Sequence, residues 1–391
     1  MTLPRIAALV VAATLAAPAP APRIASVSAA MQDLVARQEV SGAVTVVATR
    51  GGVVHLDATG LADLATKRPM TPDTLFWIAS MTKPITGAAI LMLQDEGKLK
   101  VSDPVAKYLP AFETLRTPSG KPANLTITQV LTHTSGLGEA DPVAAREART
   151  LTDMERLWLA APMQYEPGTQ WKYTQSGINV AGRIVEVVSG KPFDVFVRER
   201  LFDPLGMKDT TFSPSEAQRA RLVTAYTKHK DTGVLEATPH RADYGVGRPP
   251  FGNGGLYSTG PDYARFAQML LNGGTLDGKR YLSAEAMRTL TTPLTGDLPT
   301  GFFQGEAWGN RGANYGWGLA TCILKTPHDG VASMLSPGTF GHGGAWGTQA
   351  WIDPVKGVAY VLMIQRAGLP NSDASDVRLA FQRAAAAALP Q

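Results

Sequence analysis

The sequence predicts an α+β fold in which one antiparallel sheet is built from both chain termini, flanked by helices and interrupted by a mostly helical insertion. Three observations carry that expectation: a strand pair near the N-terminus, a second near the C-terminus, and a helical pattern beside each. Residues 24–39 place Met31, Leu34 and Val35 at helical spacing and end before Ser41-Gly42. Residues 43–48 and 53–57 then read as strands around Arg50-Gly51-Gly52. At the far end, residues 348–352 and 358–365 read as strands around Asp353-Pro354-Val355-Lys356-Gly357, and 374–389 as a closing helix. Strands joined by short turns pair antiparallel, so both hairpins fit a single sheet.

Between the hairpins the pattern changes. Residues 105–212 carry helical segments, notably 177–188, with Val180, Ala181, Ile184, Val187 and Val188 inward and Gly190 as the stop. Residues 241–260 and 300–318 are rich in Gly, Pro and aromatics, which suits ordered loops around a cleft. The expected organisation is a leader over 1–25, an α/β lobe from 26–104 and 241–391, and a helical lobe over 105–240. The candidate site falls between the lobes.

The chain of 391 residues, 44% hydrophobic and 18% charged, has the composition of an ordinary globular protein. A net charge of +4 without a Lys/Arg run interleaved with aromatics gives nucleic-acid binding no support. Met1–Arg5 carries one basic residue, residues 6–17 are uncharged, and an Ala/Pro-rich stretch follows. That layout predicts a secretory signal and a secreted or periplasmic location; a leader that is never cleaved is the alternative. The apolar run is too short to span a bilayer, as is every later one. Cys322 is the only cysteine, which precludes an intramolecular disulfide. The six histidines show no metal-ligand spacing, so neither metal nor cofactor is expected. Gly273-Gly274-Thr275-Leu276-Asp277-Gly278-Lys279 imitates a phosphate loop, but Arg280 replaces the Ser/Thr and the segment follows a helix.

Chemistry concentrates at Ser80-Met81-Thr82-Lys83. A serine hydroxyl needs a neighbouring base, and residues at i and i+3 of a helix share a face. Ile85, Ala88, Ala89, Met92 and Leu93 extend that helix, Pro84 is tolerable in its first turn, and Gly97 stops it. A bare Ser-x-x-Lys arises about once by chance in a chain of this size, so corroboration has to come from elsewhere. Glu166-Pro167-Gly168-Thr169 forms a turn that brings Tyr173 to the entry of the helix at Gly177, where a Lys83 ammonium nearby would favour the phenolate. Phe340-Gly341-His342-Gly343-Gly344-Ala345-Trp346-Gly347 lets a substrate approach backbone N–H groups.

These segments, Ser80-x-x-Lys83, Tyr173-x-Gln175 and His342-Gly343-Gly344, resemble in order the three motifs of the class C β-lactamase, penicillin-binding protein and family VIII esterase superfamily. Leu131-Thr132-His133-Thr134-Ser135-Gly136-Leu137, Pro204-Leu205-Gly206-Met207 and Gly254-Gly255-Leu256-Tyr257-Ser258-Thr259 support the resemblance, which runs from about residue 30 to 366. It implies a β-lactamase-like fold with Ser80 as acylated nucleophile, Lys83 and Tyr173 sharing the base role, and backbone N–H groups of Ser80 and Ala345 as the oxyanion hole. Gln175, His342, Gly343, Gly344 and Trp346 would contact a small ester or amide substrate.

The departures from the β-lactamase pattern, Gln175 for Asn and His342 for Lys, argue for esters over β-lactams. The expectation is therefore a carboxylesterase. A class C-type β-lactamase or D-alanyl-D-alanine peptidase is the alternative enzyme, and a silent penicillin-binding-type sensor the alternative outside catalysis. Each site residue also has a plainer reading: Tyr173 and Trp346 as packing aromatics, Gln175 as a helix cap, His342 and His133 as structural histidines.

Overall fold

The structure, a computed structural model, describes residues 22–238, 247–300, 314–369 and 372–389. The leader up to residue 21, and residues 241–246 and 301–313 of the two predicted loops, lie outside the described residues. An eight-stranded antiparallel sheet forms the centre. Its strands are β1 (Gly42–Thr49), β2 (Gly52–Asp63), β3 (Arg68–Pro69), β4 (Tyr315–Trp317), β5 (Cys322–Leu324), β6 (Phe340–Gly343), β7 (Gln349–Asp353) and β8 (Val358–Met363). The spatial order is β4-β5-β6-β7-β8-β1-β2-β3, so the two terminal hairpins meet where β1 pairs with β8, Val46 opposite Val361.

Period-two alternation distributes these strands between two cores. Val44, Val46, Val361 and Met363 join one apolar cluster, while Ala43, Val47, Tyr360 and Leu362 join the other. A sheet covered on both faces needs apolar residues at every position, which is why β1 and β8 read as continuous runs. One face carries α1 (Ala25–Ala36) and α6 (Asp376–Ala388), tied by Ser26 Oγ donating to the Ala384 carbonyl at 3.2 Å. Against the other face lies α5 (Gly260–Leu271), whose first residue must be glycine: a Cβ there would stand 2.8 Å from Val44 Cγ1.

Helix α2 (Thr82–Asp95) is the core of the molecule. The predicted stripe Ile85, Ala88, Ala89, Met92 and Leu93 is buried, but so are Ile90, Leu91 and every other residue from Thr82 to Leu93. A helix surrounded on all sides cannot keep a polar face, and the only strong charge within that span is Lys83. Helix α4 (Ser176–Ser189) packs on it through Ile178, Val180, Ala181, Ile184 and Val185, after α3 (Leu151–Ala160). Val187, expected inward, is 41% exposed and Val188 is half-buried, because the cover over this face ends before the final turn. Gly190 stops α4 at φ +70°.

Within the span expected to be mostly helical, the strands Tyr226–Lys228 and Leu235–Ala237 form a small sheet with Arg366–Ala367. Lys228 and Arg366 both grip the Glu39 carboxylate, holding it below its ordinary range. The phosphate-loop imitation at 273–279 is a tight hairpin, Thr275–Leu276 against Lys279–Arg280.

Candidate active site

Ser80 stands on a single 3-10 turn, Ala79–Met81, between the strand Phe76–Trp77 and α2. That strand pairs with Tyr257–Ser258, and Ile78 N donates to Leu256 O at 3.0 Å. From below, Tyr263 donates its hydroxyl to Met81 O at 2.8 Å, and Thr82 Oγ1 to Ala79 O at 2.7 Å. Ala79 is held at φ +44°, a left-handed conformation that costs a non-glycine residue about 1–3 kcal/mol. The surrounding bonds over-determine the turn and keep Ser80 at the floor of a cleft.

The structure brings Ser80, Lys83, Tyr173, Gln175 and His342 together. Lys83 Nζ lies 3.0 Å from Ser80 Oγ and donates to Gln175 Oε1 at 2.9 Å and to the Asn253 backbone carbonyl at 2.7 Å. The Tyr173 hydroxyl donates to Ser80 Oγ at 2.9 Å and stands 3.4 Å from His342 Nε2. Since a carbonyl only accepts, the 2.7 Å contact of His342 Nδ1 with Gly343 O places the ring proton on Nδ1 and leaves the Nε2 lone pair facing Tyr173. Lys83 Nζ also sits 4.7 Å from the Tyr173 ring centre.

Burial sets the protonation states. Desolvation pushes Lys83 well below the ordinary lysine range, with Glu139 a weaker opposing influence. It pushes the Tyr173 phenol far above its ordinary range, only partly offset by the hydrogen bond with Ser80. The expected Tyr173 phenolate is thereby corrected: the ammonium that was to stabilise it is itself disfavoured in this dry site. The same loss of water, reinforced by Lys83, lowers His342 to about 3. His342 was expected at the substrate; instead it is buried behind Tyr173 and contributes no wall to the cavity. Trp346 is half-buried and meets Trp77 edge-on, with ring centres 5.9 Å apart.

Gln175 does not cap α4; its side chain faces Lys83. The cap is Glu139, whose carboxylate accepts from Gln175 N, from Ser176 N at 3.0 Å and from Ser176 Oγ at 2.7 Å. His133 lies under Tyr173 with ring centres 4.6 Å apart and accepts from Thr174 N through Nδ1 at 3.2 Å, a supporting position. Gly343 and Gly344 are sterically required. A Cβ on Gly343 would sit 1.9 Å from Asp373 Oδ1, and one on Gly344 2.1 Å from Thr348 Oγ1 and 2.7 Å from Ile78 O. The close seat of Gly344 on Ile78 brings Ala345 to the Ser80 turn.

Ser80 and Ala345 line a cavity of ≈ 510 Å3. Its walls are Trp77, Ala140, Pro142, Met154, Trp158, Phe212, Phe251 and Asn179, closed by Gln175 and Asn253. Glu139 is the one ionisable side chain among its described lining residues, and Tyr173 and His342 are not part of the wall. Asn253, Asn179 and the apolar face of α3 escaped the reading of the sequence. The available signal was Asn253 standing directly before Gly254-Gly255, a pair already singled out.

Three buried histidines, His55, His133 and His342, have their ring pKa lowered chiefly by burial. The unfolded chain takes up protons on them below the ordinary histidine value and the folded chain does not, so stability is full above that value and falls as pH drops beneath it. Melting temperature is therefore expected to fall between about pH 7 and about pH 4.5, before most carboxylates titrate. A flat profile across that window contradicts the assignment.

A family profile described as beta-lactamase matches residues 27–385. Protein Rv1367c of Mycobacterium tuberculosis is 35% identical over 358 residues, covering 83% of this chain and 86% of that protein. Esterase EstB of Burkholderia gladioli is 28% identical over 374 residues, covering 88% and 90%. The solved structure of EstCE1, a hydrolase with promiscuous acyltransferase activity, superposes with a TM-score of 0.76 at 23% identity over 92% of this chain and 98% of that one, a likeness of fold. With the match reaching from α1 to α6 and enclosing the Ser80 turn, this chain belongs to the beta-lactamase family.

Proposed function

We propose that the chain is a serine carboxylesterase that hydrolyses small esters with apolar acyl groups through an acyl-enzyme on Ser80. The observation that carries this reading is the fully buried Lys83 with its Nζ 3.0 Å from Ser80 Oγ, where desolvation disfavours the ammonium. Ser80 Oγ bonds to the acyl carbon while its proton passes to Lys83 Nζ, and the carbonyl electron pair moves onto the oxygen facing the N–H groups of Ser80 and Ala345. Collapse breaks the bond to the leaving oxygen, which takes the Tyr173 proton, and the Lys83 ammonium restores the phenol. Water then adds to the acyl carbon, passing a proton to Lys83 Nζ, and collapse expels Ser80 Oγ, which takes that proton back and leaves the free acid.

The cavity supports esters over β-lactams and peptide carboxylates. Its described lining takes in Gln175 and Asn253 but not Tyr173, which suits the acyl portion of the substrate. Its walls are mainly apolar and its described lining holds no cation to pair with a carboxylate. His342, buried and neutral, offers none either. Export remains a proposal resting on the composition of the leader.

Nitrophenyl esters from acetyl to octanoyl and a chromogenic cephalosporin, offered separately with mass mapping of the adduct, test the reading. Ester turnover lost in Ser80→Ala is expected. Faster cephalosporin turnover overturns the ester assignment, and a Ser80 that no acylating agent modifies overturns the hydrolase reading.

The oxyanion geometry gives a separate test. Gly344→Ala pushes on Ile78 O, backbone that cannot swing aside, and so separates Ala345 N from the Ser80 turn. We expect kcat/KM to fall about 10²-fold with KM nearly unchanged. A Gly344→Ala enzyme of normal rate removes Ala345 from the oxyanion hole.

A further inference from the structure

We propose that Asn253 is a positioning residue: its backbone carbonyl and side-chain amide together turn the lone pair of the Lys83 amine onto Ser80 Oγ. The inference rests on the hydrolase reading of Ser80 and extends it to a residue outside the three motifs.

Hydrogen-bond inventory carries the argument. An uncharged lysine amine has two N–H bonds and one lone pair. Lys83 Nζ has three oxygens in reach, those of Ser80, Gln175 and the Asn253 backbone. The Asn253 carbonyl is an acceptor only and takes one N–H. Gln175 could present either end of its amide, but Asn253 Nδ2 donates to the same Oε1 at 2.8 Å. With Asn253 Nδ2 as the donor, that bond holds the oxygen end in place, because the NH2 end would set donor against donor. Gln175 Oε1 thus takes the second N–H, and the lone pair is left for the Ser80 hydroxyl proton. Asn253 therefore acts twice on one amine, once directly and once through Gln175.

Asn253 is itself held from two helices. Its backbone N–H donates to Asn179 Oδ1 on α4 at 3.0 Å, and the preceding Gly252 carbonyl accepts from Thr86 Oγ1 on α2 at 2.8 Å. Gly252 has no room for a side chain, since a Cβ would stand 2.8 Å from Thr86 Oγ1. The segment is therefore fixed relative to Lys83, one helical turn from Thr86.

The groups that face Lys83 are Tyr173 from the entry of α4, His133 beneath it, His342 from β6 and, at longer range, Glu139. None is altered by a change at position 253, so a displaced pH profile reports that position. Asn253→Asp sets a carboxylate beside the amine, favours the ammonium and delays loss of its proton to higher pH. Asn253→Ala keeps the carbonyl but frees Gln175 to rotate.

The measurement is the rate of Ser80 labelling by a fluorophosphonate probe across pH, read by intact mass, which needs no knowledge of the substrate. For Asn253→Asp the acid limb is expected to move up by about one pH unit or more. For Asn253→Ala the plateau is expected to fall about tenfold with an unchanged melting temperature. Wild-type limbs in both variants, or a lower plateau without a moved limb in Asn253→Asp, overturn the inference. Should Asn253→Asp fail to fold, Asn179→Ala, which releases the Asn253 backbone, is expected to lower the plateau in the same way, and a wild-type rate there also overturns it. A wild-type Ser80 that the probe never labels defeats the hydrolase reading, a result separate from either.

Discussion

Lys83→Met is expected to lower kcat/KM by about 10³- to 10⁴-fold while raising the melting temperature by several degrees near pH 7. The two effects share one cause. Lys83 is completely buried and its amine is held well below the ordinary lysine range by desolvation. The unfolded chain carries a solvated ammonium there at pH 7, and folding disfavours that charged form. The sign follows from linkage: the unfolded state binds more protons between the folded and unfolded pKa values, so stability rises with pH through that window. Methionine fills a similar volume without this cost, and the gain in stability is expected to shrink as pH approaches the ordinary lysine value. Chemical denaturation of both proteins at about pH 7 and about pH 10 measures it. A stability difference between the two proteins that is the same at both values shows that the ammonium is retained in the fold, and Lys83 then loses its role as base.

This opposition explains what the sequence disclosed and what it withheld. The terminal hairpins were legible because short apolar runs and the turns between them are local features. The spacing of Ser80 and Lys83 was legible for the same reason, since one helical turn sets it. Long-range packing set the rest. Nothing in the stripe Ile85 to Leu93 announced that α2 would be enclosed on every side, and that enclosure decides which of Lys83 and Tyr173 holds the proton. His342 was placed at the substrate by its position in the third motif of the resemblance, yet the ring is buried with Nε2 3.4 Å from the Tyr173 hydroxyl. Asn253 follows a loop whose path depends on Asn179 and Thr86, residues far away in the chain.

Tyr173→Phe is expected to reduce turnover in proportion to how badly the leaving group needs a proton. For alkyl esters the loss is expected to be about 10²- to 10³-fold; for nitrophenyl esters it is expected to be about tenfold. An alkoxide is a strong base that cannot depart into a dry site unprotonated, whereas a nitrophenolate leaves without help. In the proposed mechanism Tyr173 is the donor: desolvation favours its neutral phenol, and its hydroxyl lies 2.9 Å from Ser80 Oγ. Phenylalanine keeps the ring against His133 and Trp317, at 4.6 and 5.8 Å between centres, so the fold is expected to persist. The ratio of the two losses is the informative quantity, because a packing defect would slow both substrates alike. Equal losses for alkyl and nitrophenyl esters would assign Tyr173 to the shape of the site, and Lys83 would then have to supply the departing proton as well as remove the first one.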